Sequence, residues 1–413
     1  MIKRVLSTSF HSIISRFFIT ATNLLIVFFV SKNLGKVQLG TYGIVFFFFI
    51  FFATTSSMSL YLFFGKEIAR YDKKTREEFN IMSEFVSVSL FGILLTIILP
   101  VSFSLFYNKI DISLLILSSV AGYFHGVERN LGGVLLGRER MHLESFSTFT
   151  SFLFVVAPMV MFGDYFHSIK MIFILRIFAF LITILVKLWF LRDHFGNLRL
   201  TIKLKFFKEL KYYWFAGLSS VVLREIDILI LSFFVDKSLL GAYFLAIRIY
   251  YAFGVLAEVV SSGLTPFISR FYLEKENGGF KKFNKYMLVI FMFFALVFSV
   301  SLLLSRNLIV AAFSPEFLHD TGKYLFYFSF ILIFRFFSFS TGIILTSADA
   351  QKTRFNIMFT ASIIMIALDI ILGSQLQVTG MIISRAVTEI FIFFIFGYYV
   401  NKIISRYNVI RHT

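Results

Sequence analysis

The 413-residue chain contains no cysteine, only 4 proline and 2 tryptophan residues, and few acidic residues, 23 Asp and Glu against 40 Lys and Arg. The absence of cysteine excludes disulfides and thiolate chemistry. Charged residues make up 15% of the chain and apolar residues 58%, whereas soluble domains have roughly a quarter charged and about half apolar residues. A soluble fold of this size could not bury so many apolar side chains, so the composition predicts an integral membrane protein.

Motifs for two common kinds of enzyme are also absent. The sequence has no G-x-x-x-x-G-K phosphate loop and no His-Glu-x-x-His metal motif. The segments predicted outside the membrane are short, the longest being about 305–323, so they leave no room for a catalytic face. We therefore predict that the chain is not an enzyme and has no catalytic residue, metal site or cofactor.

Apolar runs fill most of the chain. A membrane-spanning helix needs about 20 mostly apolar residues, and twelve such runs can be placed with only short segments between them. The first is not followed by a small-residue cleavage site, so we interpret it as an uncleaved helix. The predicted helices lie at about 10–30, 41–64, 81–106, 113–136, 146–162, 168–190, 212–235, 241–265, 286–304, 324–346, 355–372 and 379–400.

The basic residues between these runs alternate in density. With a cytoplasmic N-terminus, about 25 Lys and Arg fall on the inside and about 7 on the outside. This bias predicts an even number of spans with both termini in the cytoplasm. It also explains most of the net charge of +17, which therefore gives no reason to expect nucleic-acid binding.

The two halves of the chain share short sequence matches. Leu39-Gly40-Thr41-Tyr42 recurs as Leu240-Gly241-Ala242-Tyr243, and further matches include Gly132 with Gly342. Chance similarity between apolar strings is the alternative explanation. The shared offset near half the chain length instead predicts two six-helix halves, 1–190 and 212–413, joined by a basic cytoplasmic linker at 191–211. The halves would be related by a parallel pseudo-two-fold repeat around a central cavity.

Arginine is the commonest charged residue inside the predicted spans. Each charge there costs about 2.5–3.5 kcal/mol on insertion scales, so it normally faces a cavity or a partner. Arginine binds phosphate through a planar fork of donors, which predicts a site for an anionic head group, most simply a pyrophosphate. The alternative is that these side chains only form ion pairs or reach the membrane surface. The predicted substrate-binding residues are Arg16, Arg129, Arg176, Arg224, Arg248, Arg335 and Arg385.

Carboxylates in the spans suggest a second role. A transporter driven by an ion gradient needs a carboxylate whose proton or ion occupancy changes between states. The spans also hold Glu225 and Glu258, but the ion-coupling candidates are Asp227, Asp369, Glu128 and Glu389. The alternative is local neutralisation, because Arg224 and Asp227 share a helix face, as do Arg385 and Glu389.

Three segments carry a family resemblance. Ser31 to Gly43, with Leu34-Gly35 followed by Gly40-Thr41-Tyr42, resembles the first inter-helix turn of polysaccharide transporters. Asp227 to Tyr243 resembles the start of their second half, and Pro266-Phe267-Ile268-Ser269 resembles the Pro-x-x-Ser that closes helix 8. On these segments the chain resembles the O-antigen flippases (Wzx-type) of the multidrug/oligosaccharidyl-lipid/polysaccharide exporter superfamily.

The resemblance implies a function in the bacterial inner membrane. Such flippases move undecaprenyl-pyrophosphate-linked sugar repeat units from the cytoplasmic to the periplasmic leaflet by alternating access, and proton or sodium antiport is associated with them. Membrane lipids and the polymerase and chain-length regulator of the same pathway are the implied partners. Relatives that flip peptidoglycan precursors usually have about fourteen helices, so twelve spans make that role less expected.

Two other functions remain open at this point. One is a cation-driven multidrug exporter of the same superfamily, in which acidic residues should dominate the site. The other is an O-antigen polymerase or a lipid-linked glycosyltransferase, which should carry a longer outside loop.

Overall fold

The computed structural model describes residues 2–70, 81–192, 204–273, 279–347 and 350–409, and these residues contain helices but no strand. Two short 3-10 turns, Gly163–Tyr165 and Pro315–Phe317, lie between longer helices. The α-helices are α1 Ile2–Asn33, α2 Gly35–Ser57, α3 Leu60–Arg70, α4 Ile81–Phe106, α5 Ile112–Gly137, α6 Met141–Met161, α7 Ile169–Leu191, α8 Leu204–Leu231, α9 Lys237–Leu273, α10 Gly279–Phe313, α11 Leu318–Ser347 and α12 Gln351–Val409.

The chain is a multi-pass membrane protein. Within the described residues, nine helices are long and apolar enough to cross a bilayer. The last of these stretches, Lys352–Ile403, has 52 residues, which is enough for two crossings at about 1.5 Å per residue. Helices α5 and α8 add two more spans, and α3 continues α2 as one interrupted span. The total is the twelve spans in two six-helix halves that the sequence predicts.

Large apolar side chains on the outside of the helices suit a lipid environment. Phe106 is 87% exposed and Leu304 76% exposed, and side chains of this kind recur along α1, α4, α6, α7 and α10. A soluble protein rarely exposes so much contiguous apolar surface. By contrast, most residues of α2 and of the stretch Lys237–Glu258 in α9 are buried.

Helix α12 is two helical arms joined at Gln377. This residue has a φ of 51° and a ψ of −126°, which is not helical. A Cβ on Gly380 would overlap the backbone oxygen of Leu372, although these residues would lie about 12 Å apart in a straight helix. Ser384 of the second arm donates to the backbone oxygen of Met365 in the first, at 3.4 Å. The two arms match the predicted eleventh and twelfth spans.

The predicted second span, 41–64, is wrong as a continuous helix. Met58 and Ser59 are left-handed, with φ angles of 48° and 53°, and they separate α2 from α3. The side-chain amide of Asn130 on α5 bridges the break: its oxygen accepts from the Tyr61 amide at 3.1 Å, and its nitrogen donates to the Ser57 carbonyl at 3.3 Å. These bonds satisfy backbone groups that the helix can no longer pair.

Contacts divide the chain into two compact units. The N-terminal unit comprises 10–34 and 41–225, and the C-terminal unit comprises 1–9, 35–40 and 226–413. The first part of α8 packs in the N-terminal unit, where Leu210 joins the core around Phe63 and Phe64. In the C-terminal unit Lys36 lies 3.3 Å from Asp320. The predicted boundaries at 190 and 212 stay predictions, and residues 193–203 of the predicted linker lie outside the described residues.

Candidate functional site

Three of the predicted arginines surround one aromatic ring in the C-terminal unit. The guanidinium carbons of Arg248, Arg335 and Arg385 lie 5.8, 4.8 and 5.7 Å from the centre of the Tyr251 ring. They come from three helices, α9, α11 and the second arm of α12. The negative face of an aromatic ring attracts cations, so Tyr251 helps to hold three positive charges close together.

Asp227 and Arg385 form a buried ion pair beside this ring. A guanidinium nitrogen of Arg385 lies 2.6 Å from Asp227 Oδ2. The same oxygen accepts a bond of 2.7 Å from the Tyr243 hydroxyl, and Oδ1 accepts from the Ile228 amide at 2.9 Å. Asp227 is 0% exposed and Arg385 1% exposed. Both oxygens of Asp227 are therefore committed to protein donors.

Arg335 is better placed than Arg385 to meet a ligand. Its side chain is 14% exposed and donates a bond of 2.8 Å to Glu389. Its buried Nε has no hydrogen-bond partner among the described residues. The rings of Tyr250 and Phe339 lie 5.5 and 5.3 Å from the guanidinium carbon. Donors of this guanidinium thus remain available for an anion.

The sequence placed Arg385 and Glu389 as a pair within one helix turn. In the structure each of them reaches a partner on another helix, with Arg385 contacting Asp227 on α8 and Glu389 contacting Arg335 on α11. The ionisable groups of α12 therefore connect three helices of the C-terminal unit.

Asp369 is a buried carboxylate without a donor. It lies on the first arm of α12 and is 0% exposed. Neither of its oxygens accepts a hydrogen bond from a described residue. Burial without a directed hydrogen bond is unfavourable for a charged carboxylate, which distinguishes Asp369 from Asp227 and Glu389.

The N-terminal unit holds a second charged group, which we call the Lys187 cluster and define as His125, Glu128, Glu144 and Lys187. Lys187 on α7 is 0% exposed. Its ammonium donates to the Glu128 carboxylate and, at 3.2 Å, to the Glu128 carbonyl, and it lies 2.8 Å from Glu144 Oε2. His125 Nδ1 is 3.6 Å from the other oxygen of Glu128. The cluster joins α5, α6 and α7.

The remaining predicted arginines lie outside the group around Tyr251. Arg176 is 2% exposed, donates to Asn23 at 2.7 Å and sits 4.9 Å from the Phe49 ring. Arg129 is half-buried, with its guanidinium 4.3 Å from the Tyr61 ring. Arg16 is half-buried, whereas Arg224 is exposed on α8. Of the seven, the structure brings together only Arg248, Arg335 and Arg385.

Sequence reasoning missed several residues of these groups. Lys187 and Glu144 are charged residues near the ends of predicted spans, where charged side chains commonly reach the membrane surface. No sequence pattern pointed to Tyr250 or Tyr251, because tyrosines are common in membrane helices. Tyr243 could have been noticed, because it ends the repeated Leu-Gly-x-Tyr motif.

Comparisons with known families cover nearly the whole chain. The model of the family described as polysaccharide biosynthesis protein matches residues 5–272, and the MatE model matches residues 214–371. The first match extends over more than half of the chain. No curated protein matches.

Solved structures of similar fold include MATE and MOP superfamily transporters and a lipid II flippase. An inward-facing multidrug resistance MATE family transporter of the MOP superfamily has a TM-score of 0.76 at 13% identity, covering 94% of this chain and 95% of that one. A MOP superfamily transporter from Pyrococcus furiosus, described as having a binding pocket of reverse polarity, scores 0.72 at 14% identity, with 97% and 96% covered. The lipid II flippase MurJ, in an inward closed conformation, scores 0.69 at 18% identity, with 94% and 87% covered.

Proposed function

Because the chain belongs to the polysaccharide biosynthesis protein family, we propose that it is a flippase for lipid-linked oligosaccharides. It moves undecaprenyl-pyrophosphate-linked repeat units of O-antigen or another surface polysaccharide from the cytoplasmic to the periplasmic leaflet of the bacterial inner membrane. The movement follows alternating access and is coupled to a proton or sodium gradient. The transporter fold shared with the MOP superfamily supports a role of this kind.

The observation that carries the proposal is the group of three arginines around Tyr251. Two carboxylates, Asp227 and Glu389, pair with Arg385 and Arg335, and all three guanidiniums lie within 6 Å of the Tyr251 ring. Arginine donors in a site shielded from water bind phosphate strongly. The half-buried Arg248 and Arg335 therefore suit the pyrophosphate of the carrier lipid.

Aromatic rings beside Arg335 suit the first sugar. Tyr250, Tyr251 and Phe339 all lie within 6 Å of its guanidinium carbon. Such rings bury large apolar faces, and tyrosine also offers a hydroxyl for hydrogen bonding. The C-terminal unit thus offers groups for both parts of a pyrophosphate-linked sugar.

We assign the ion-coupling role to Asp369 rather than to Asp227. Asp227 already has Arg385 and Tyr243 as partners, whereas Asp369 has no donor among the described residues. A carboxyl that must be neutralised from outside the protein can respond to a gradient. Glu389, paired with Arg335, would sense the bound substrate instead.

The test compares arginine variants in a strain that depends on this chain for its surface polysaccharide. Arg335→Ala is expected to abolish export while the protein remains inserted and folded, and Arg335→Lys should restore little, because lysine lacks the planar fork. Arg306→Ala is the matched control, since Arg306 also contacts an aromatic ring, that of Phe326 at 5.1 Å, but lies outside the group. Full export by an Arg248→Ala/Arg335→Ala variant would refute the proposed site.

A cation-driven multidrug exporter is the second candidate, supported by the MatE match at 214–371. Organic cations should bind where carboxylates line the site, whereas three arginines surround Tyr251. Increased sensitivity of a deletion strain to cationic drugs, with unchanged surface polysaccharide, would favour this candidate.

A further inference from the structure

The Lys187 cluster contains one more carboxylate than its ammonium can neutralise. A lysine ammonium has three donors. Lys187 directs bonds to the carboxylate and the carbonyl of Glu128. Glu144 Oε2 lies 2.8 Å from the same nitrogen. The two carboxylates therefore share one ammonium, and Glu128 makes two of the three contacts to it.

The position of Glu144 is shaped by a glycine on the neighbouring helix. A Cβ on Gly132 of α5 would lie 2.8 Å from one carboxylate oxygen of Glu144 and 2.9 Å from the other. Any larger residue at this position would push the carboxyl group away. The helix backbone thus makes room for a buried carboxyl group beside Lys187.

The other charged groups near the cluster are engaged elsewhere. The guanidinium of Arg129 rests on the Tyr61 ring of α3. Arg176 of α7 donates to Asn23 of α1. His142, two residues before Glu144, contacts His11 of α1 through its ring. The ionisable groups on the helices around the cluster include His11, Tyr61, Arg129, His142 and Arg176, of which Arg129 and Arg176 act on its charges.

We propose that Glu144 is a proton-binding site: its carboxyl group carries a proton at neutral pH and exchanges it during the transport cycle. Two carboxylate charges that share one buried ammonium are disfavoured, and a proton on Glu144 removes the surplus charge. A metal ion does not suit the position, because no group of three or more His, Asp or Glu side chains in the described part of the chain is placed to hold one.

His125 gives the exchanged proton a second acceptor within the cluster. Its Nδ1 is buried and lies 3.6 Å from a carboxylate oxygen of Glu128. Protonation of His125 would draw these two atoms together. The site belongs to the N-terminal unit and does not depend on the identity of the cargo, although proton exchange during transport rests on the proposed gradient coupling.

The experiment is infrared difference spectroscopy on the full-length protein in lipid nanodiscs, without oligosaccharide. The wild type is expected to show carbonyl bands of protonated carboxyl groups at neutral pH that disappear in alkaline buffer. Glu144→Gln should lose one of these bands, whereas Asp369→Asn should keep it. Glu144→Gln preserves the shape of the side chain, and thermal unfolding checks that the variant is folded.

A second variant separates loss of the proton from loss of the fold. Gly132→Ala leaves Glu144 in place but displaces its carboxyl group, so the band is expected to shift rather than vanish. The proposal fails if the spectrum of Glu144→Gln equals that of the wild type, or if the band depends on sodium rather than on pH. Either result would leave the test of export through Arg335 unaffected.

Discussion

Gly40 at the start of α2 and Gly241 at the start of α9 approach each other so closely that neither has room for a side chain. A Cβ on Gly40 would overlap the backbone oxygen of Lys237, and a Cβ on Gly241 would overlap that of Lys36. The contact is reciprocal because both the two glycines and the two lysines are 201 residues apart. The glycine of the Leu-Gly-x-Tyr motif therefore packs against the glycine of its second copy.

Replacing either glycine by alanine should destabilise the protein. In an open helix this change stabilises by up to about 1 kcal/mol. Here the added methyl group meets a backbone oxygen that cannot rotate away, so Gly40→Ala and Gly241→Ala should each cost about 1–3 kcal/mol, as overpacked cores do. Thermal unfolding of the purified protein in detergent measures the effect as a lower Tm.

Gly397 provides the control for this comparison. It lies in the second arm of α12, and a Cβ there would meet nothing within 4 Å. Gly397→Ala should leave the Tm unchanged or raise it. If Gly40→Ala unfolds at the same temperature as Gly397→Ala, the close approach of α2 and α9 is not a packing contact.

The Asp227–Arg385 pair should show strong coupling in a double-mutant cycle. Removing one partner leaves a buried charge alone, which typically costs 3–5 kcal/mol. Removing both leaves no charge, so Asp227→Ala/Arg385→Ala should be more stable than the sum of the single variants indicates. Chemical or thermal unfolding gives the coupling energy.

Asp111 and Lys170 form the matched exposed pair, 2.7 Å apart with about half of each side chain accessible. The same cycle there should give a much smaller coupling, because water screens exposed charges. Equal coupling energies for both pairs would contradict the burial of the Asp227–Arg385 pair.

The spans could be predicted from the sequence because hydropathy is a property of consecutive residues. Local patterns also indicated the turn after the eleventh span, which the structure places at Gln377. The break at Met58 and Ser59 could not be predicted in this way. Neither residue is a usual helix breaker, and the break depends on Asn130, more than 70 residues away along the chain.

The candidate site was predicted by residue type but not by arrangement. Arginines in spans pointed to Arg335 and Arg385, yet their partners Glu389 and Asp227 lie 54 and 158 residues away in sequence. Local rules consider partners only three or four residues away. Helix packing, which the sequence does not report directly, decides which charges meet.

Asn130→Ala should weaken the junction between α2 and α3. The substitution removes one acceptor and one donor, and leaves the Tyr61 amide and the Ser57 carbonyl without the bonds they now make. Each buried unsatisfied group costs about 1–3 kcal/mol. We expect a lower Tm together with faster hydrogen exchange at the Tyr61 amide.

Asn130→Asp tests the two bonds separately. It keeps an acceptor for the Tyr61 amide but loses the donor to the Ser57 carbonyl. An intermediate Tm, with the Tyr61 amide still protected from exchange, is the expected result. Rapid exchange at Tyr61 in both variants would show that the loss reflects general loosening of α5 rather than the broken bridge.

Asp369→Asn should separate stability from gradient coupling. The buried carboxyl of Asp369 accepts no hydrogen bond from a described residue, so a neutral side chain of the same shape should keep or raise the Tm. Asp227→Asn, by contrast, replaces a carboxylate that accepts hydrogen bonds from Arg385, Tyr243 and Ile228. The neutral amide accepts these bonds less well, so this variant should have a lower Tm. In proteoliposomes with an imposed proton or sodium gradient, flipping by Asp369→Asn should no longer be accelerated by the gradient. An Asp369→Asn protein that is less stable than the wild type yet still driven by the gradient would give Asp369 a structural role and leave the coupling to another carboxylate.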